Sequence, residues 1–171
     1  MVDQAGIQAA MAGDIAKFEH GQHDPTVIAV NRAGDLGALL CLRTSRDGTT
    51  WTSDTIIVTR SADGTWEDAG SGGTTFPAIP LDDPGLWTDG WTVAGETVRL
   101  DNEDAEGHAR TVTAVSGFCA PDVDVVQEVG VGGGRPVTPA PMGAFVVIST
   151  ADPVAILAVR LNGNRTDPIL F

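Results

Sequence analysis

The sequence predicts a mainly β protein, an antiparallel β-sandwich body behind one short N-terminal helix. Three observations carry this. Beyond residue 20, Thr, Val and short apolar runs recur at strand length. Gly, Pro and Asp-Gly pairs punctuate those runs at hairpin intervals. Before residue 20 the pattern is different: Ile7, Met11, Ile15 and Phe18 recur at spacings of four, four and three, which is helical.

Asp3 is placed to cap that helix and Gly21 to end it. Lys17 and His20 fall in the last turn, where the helix dipole favours cations. The spacing therefore predicts a helix over about 4–19, laid against the β body. Strand pattern starts at Thr26. Segments 26–31 and 36–44 flank a hairpin-sized turn, and 51–60 follows the turn at Asp47 and Gly48. The turn at Asp63 and Gly64 leads into a short strand over 65–68. Residues 69–85, with four glycines and three prolines, read as loop. A Trp-rich segment over 86–93 and a short strand over 96–100 come next. An acidic loop over 101–107 precedes a strong strand over 109–119.

In the last third, Val123 and Val125, continued by Gln127 or Val129, alternate as a half-buried strand. Residues 130–134 reverse the chain, and 143–148 form a buried strand. Val154, Ile156 and Ala158, continued by Arg160, share one face. A turn at Asn162, Gly163 and Asn164 leads to a closing edge over 167–171. The expected division is an N-terminal helix and linker over 1–24, a β-rich subdomain over 25–104 and a sandwich subdomain over 105–171.

A chain of 171 residues buries roughly 70% of its unfolded surface, enough for a core without metal or disulfide. Among 23 acids and 10 bases there is one lysine, Lys17, and the net charge is −13. Such a surface repels phosphate, so neither nucleic acid nor an anionic membrane is an expected partner, whereas a basic protein is. No run reaches the ~20 apolar residues of a membrane helix. The N-terminus lacks the basic start and apolar core of a secretory signal, which points to the cytoplasm. Arg over Lys, with abundant Ala, Gly, Val, Thr and Asp, points to a GC-rich bacterial genome. Cys41 and Cys119 each sit in an apolar run and are expected buried and reduced.

Two segments, beginning at Ser45 and Ser61, share Ser-x-Asp-Gly and a following Trp. Each resembles the Asp-box of propeller repeats, shortened. They lie far closer together than the ~40–45 residues of a propeller blade, which makes them successive Asp-Gly hairpin turns. A second resemblance rests on Gly117, Ala120, Pro121, Asp122 and Val123, then Gly143 to Val146, Pro153, Val154, Asn162 and Gly163. Over 111–171 this order resembles the small immunoglobulin-like β-sandwich modules of uncharacterised actinobacterial proteins. The resemblance implies fold and lineage; no activity is established for those modules.

Three constellations are candidates for function. Trp87 and Trp91 are four apart and share one side of a strand or helix, flanked by Asp82, Asp83 and Asp89. Paired Trp rings with carboxylates suit a Lys or Arg of a protein partner, or a stacked sugar. His20, His23 and Asp24 are the weak candidates for a divalent metal site. The acids over 101–106 lack the EF-hand order and read as a solvated loop. The glycines over 130–134 lack the Lys-Ser/Thr ending of a phosphate loop and read as a hairpin tip. No Gly-x-Ser-x-Gly is present, and neither cysteine has a neighbouring histidine. The sequence thus points to a non-enzymatic acidic binding protein of inhibitor, immunity or adaptor type, without a cofactor. A carbohydrate-binding module using Trp87 and Trp91 and a metal-dependent enzyme using His20, His23 and Asp24 are the alternatives.

Overall fold

A computed structural model of the protein describes residues 1–19, 21–78, 91–92, 97–103, 107–129, 135–151 and 153–171. The chain is mainly β, with antiparallel sheets and one α-helix near the N-terminus. Helix α1 spans Gln4–Ala12. The strands are β1 (Thr26–Ala33), β2 (Leu36–Thr44), β3 (Thr50–Arg60), β4 (Trp66–Pro77), β5 (Trp91–Thr92) and β6 (Thr97–Glu103). They continue with β7 (Ala109–Cys119), β8 (Val123–Glu128), β9 (Ala144–Ser149), β10 (Ala155–Arg160) and β11 (Ile169–Leu170).

These elements stack in four layers. A first sheet has the order β1-β2-β3-β4. In a central sheet β5 and β6 pair with successive stretches of β7, and β9 pairs with its other side. A third sheet has the order β11-β10-β8. Three apolar clusters fill the spaces between layers. Ile7, Ala10 and Met11 of α1 pack on Leu39, Cys41, Ile56 and Val58, the outer face of the first sheet. Leu40, Leu42, Trp51 and Ile57 from its inner face meet Val112, Ala114, Phe118, Val146 and Ile148 of the central sheet. Val115, Phe145 and Val147 on the other face of the central sheet meet Val126, Ile156 and Ala158 of the third.

This layering explains the unbroken apolar runs. Successive residues of a strand face opposite ways, so β2, β7 and β9 are buried along most of their length because both their faces are covered. At β10, Val154, Ile156 and Ala158 are buried as the alternation predicts, while Ala155 and Val159 of the opposite side are half-buried.

Four expectations are corrected. The helix ends at Ala12, not near residue 19. Gly13 adopts φ 104, and the N–H groups of Gly13 and Asp14 bond to Ala10 and Ala9 carbonyls, closing the helix. The segment over 69–77 is the long edge strand β4, not a loop. Its glycines permit close approach: a Cβ on Gly70 would lie 2.5 Å from Leu100, and one on Gly73 2.2 Å from Asp54 Oδ1. Asp101 and the residues to Glu103 continue β6 where a loop was expected, because they pair with residues 109–111. In β8 it is Val123 and Val126 that enter the core, because a register shift opposite Val159 and Arg160 changes the phase of the alternation.

The expected boundary at 104/105 falls between β6 and β7, which pair from Thr97↔Val115 to Glu103↔Ala109. The cluster between the first and central sheets takes residues from both sides of it. Strands β7 to β10 alternate between central and third sheets and pack as a sandwich of those two layers. No described helix is long and apolar enough to cross a membrane.

Candidate functional site

The chain between α1 and β1 passes from one face of the first sheet to the other. Ile7 and Met11 stay on the outer face, but Phe18 is buried in the cluster between the first and central sheets. Its ring meets Trp51 edge-on, with centroids 5.4 Å apart and planes at 78°. Phe76 and Phe118 extend this edge-to-face series across the interface. Residue 22 ties the crossing down: the Gln22 carbonyl accepts from Thr44 N–H at the end of β2.

Because the crossing runs around the edge of β1, a pocket of about 790 Å³ opens beside that strand. Residues 15–18 form one wall, Ile28, Ala29 and Val30 the floor, and Val137, Thr138, Ala140, Pro141, Met142 and Ala144 the opposite wall. Among the described residues the lining is apolar apart from Lys17 and Thr138. The floor is shaped by a β-bulge: Val27 pairs with Cys41 and Ala29 with Leu40, leaving Ile28 unopposed. Ile28 and Ala29 consequently both join the inner cluster.

The far wall is held by backbone. Val137 exchanges two 2.8 Å hydrogen bonds with Val126 of β8. A one-turn 3-10 helix at Pro141–Gly143 then leads into β9, with Met142 at φ 76 and Gly143 at φ 72. Only glycine fits at 143, since a Cβ there would lie 2.1 Å from the Cys119 carbonyl oxygen. Met142 is the one non-glycine with positive φ among the described residues, and it lines the pocket.

Asp82, Asp83, Trp87 and Asp89 lie outside the described residues; of Trp91 the backbone is described, opening β5 and pairing with Cys119. His20 also lies outside them. His23 and Asp24 are exposed, and His23 Nδ1 lies 3.2 Å from the Thr44 carbonyl. No group of three or more His, Cys, Asp or Glu side chains gathers as a metal site among the described residues.

The two thiols are buried and free. They occupy different clusters, Cys41 under α1 and Cys119 between the central and third sheets. Burial pushes both up from 9.0 to about 12, helped by Asp54 and Asp122 respectively. The two Asp-Gly segments form matching turns between β2 and β3 and between β3 and β4. Asp47 Oδ1 accepts from Ser45 Oγ, Thr49 N–H and Thr49 Oγ1; Asp63 Oδ1 accepts from Ser61 Oγ and Thr65 N–H. These bonds, led by the serine hydroxyls, lower both carboxyls to about 2.

The pocket was not legible in the sequence, because Ile15 and Phe18 continue the helical spacing of α1 and Lys17 fits its last turn. The available signal was Gly13 followed by Asp14, a stop inside the apparent stripe.

The architecture is that of a layered β protein with an apolar pocket at the edge of its first sheet. Comparison with known proteins matches the chain to no family model, no curated protein and no solved structure.

Proposed function

We propose that the protein works by binding, and that its pocket beside β1 receives an apolar ligand group. The pocket supports this reading: about 790 Å³ is within the size range of small-molecule sites, and its lining is apolar with few polar groups. Met142 adds weight, since a non-glycine at positive φ carries a cost and such residues cluster at ligand clamps. The environment-sensitive dye anilinonaphthalene sulfonate tests the reading by fluorescence titration. Dye binding should be lost in Ala16→Trp, which fills the pocket from its exposed rim. Undiminished binding with an unchanged melting curve would remove the pocket from consideration.

A second reading, a basic protein partner, is favoured by the net charge of −13. Exposed acids such as Asp14, Glu19, Glu67, Asp68 and Asp124 enter no ion pair among the described residues. The face proposed for that partner is centred on Trp87 and Trp91 and rimmed by Asp82, Asp83 and Asp89. Association with such a partner would slow steeply as salt rises. A captured partner whose association rate ignores salt would sink this reading. The proposed kinship of 111–171 with immunoglobulin-like modules draws support from the alternation of β7 to β10 between two packed sheets.

A further inference from the structure

We infer that the pocket beside β1 binds a free amphiphilic carboxylate, with the apolar chain inside and the head group on the Lys17 ammonium. This rests on the pocket reading above and names its ligand class. Three observations select that class.

The first is the chemistry of the lining. Ile15, Phe18, Ile28, Val30 and Met142 offer apolar surface, and among the described residues of the lining only Lys17 and Thr138 have polar side chains. A sugar or nucleotide, with hydroxyls on every side, would leave most of its polar groups unpaired there. An alkyl chain would not.

The second is charge. Lys17 is the single lysine of a chain with 23 acids, and among the described residues it is the only charged side chain in the lining. Elsewhere the surface charge favours cations, but this mouth pairs with one negative group. An ammonium stabilises a carboxylate through a charge-assisted hydrogen bond and repels an amine.

The third concerns the competing occupant, an extended peptide added to the outer edge of β1. Such addition needs a regular row of outward N–H and C=O groups. The bulge at Ile28 interrupts that row within the stretch that lines the pocket. A ligand held by its chain and its head group needs no such row.

Isothermal titration with decanoate, decanol and decylamine tests the inference on the full chain. Decanoate should bind with one ligand per chain, roughly tenfold more tightly than decanol, and decylamine more weakly than either. Lys17→Ala should bring decanoate to the affinity of decanol and leave decanol unchanged; Lys17→Arg should restore most of the difference. Lys17 is exposed, so an unaltered melting curve is expected for both variants. Ile15→Glu, which puts a carboxylate in the wall at an exposed position, should abolish binding of decanoate.

If decanol binds as tightly as decanoate and Lys17→Ala changes neither, the pocket reading stands and the anionic head group falls. If none of the three binds, both fall. Binding to anionic phospholipid vesicles without binding to decanoate would assign the site to a membrane lipid and overturn the free acid. Displacement of decanoate by an extended apolar peptide, with amide protection appearing along β1, would overturn it in favour of strand addition.

Discussion

Thr55 Oγ1 and Ser116 Oγ lie 2.6 Å apart across the interface between the first and central sheets. Both residues are essentially inaccessible to solvent, in the same interface as Leu40, Ile57 and Phe118. A buried hydroxyl is tolerated there because it has a partner. Removing one side should therefore cost more than removing both. Ser116→Ala is expected to destabilise by about 1–3 kcal/mol, and adding Thr55→Val should recover part of that loss. Urea unfolding of the two single variants and the double variant checks this. Additive losses would show that the hydroxyls do not act as a pair.

The crossing of residues 13–18 makes a second contrast. Phe18→Ala removes a buried ring from the series with Trp51 and should cost about 3–5 kcal/mol. Ile15→Ala, three residues earlier at a site 41% exposed, should change stability by less than about 0.5 kcal/mol. If α1 continued through both, the two would weaken one helix face together. Thermal melts with the helical far-UV signal followed in parallel separate the cases.

The thiols make a pH prediction. Both are raised from 9.0 to about 12, so the folded chain holds these protons more tightly than the unfolded chain. Their contribution is fully present below pH 9 and is lost as pH rises toward about 12. Cys41→Ala and Cys119→Ala should therefore flatten the alkaline fall in stability. In native protein near neutral pH, neither thiol should react quickly with a disulfide reagent, and both should react once urea unfolds the chain.

The turn carboxylates make the opposite prediction. Asp47 and Asp63 are lowered from 3.8 to about 2, so the folded chain favours their charged form. The contribution of these turns is present above pH 3.8 and is lost as pH falls toward about 2. The stability gap between the native chain and Asp47→Ala, or Asp63→Ala, should shrink across that window. Carboxyl carbon titration by NMR should give midpoints near 2 for both residues. Midpoints near 3.8 would mean that the serine bonds do not persist in solution.

By itself the sequence determined whatever depends on neighbours along the chain. Thr and Val runs between turns specify strands β1 to β3 and the start of β4, since turn chemistry at Asp47 and Asp63 is complete within a few residues. Asp3 likewise caps α1 through the N–H of Gly6. Tertiary structure decided what depends on the opposite face. An apolar run such as β2 reads the same whether one or both of its sides are covered, and only the helix above and the sheet below make it central. Strand β4 has little strand propensity of its own and exists because β3 offers it a full ladder of hydrogen bonds. The spacing of Phe18 from Met11 fits a helix, yet Gly13 turns the chain and the inner cluster takes the ring. The pocket beside β1 follows from that turn. Its walls come from residues more than a hundred positions apart in the chain, brought together by sheet stacking that no local pattern encodes.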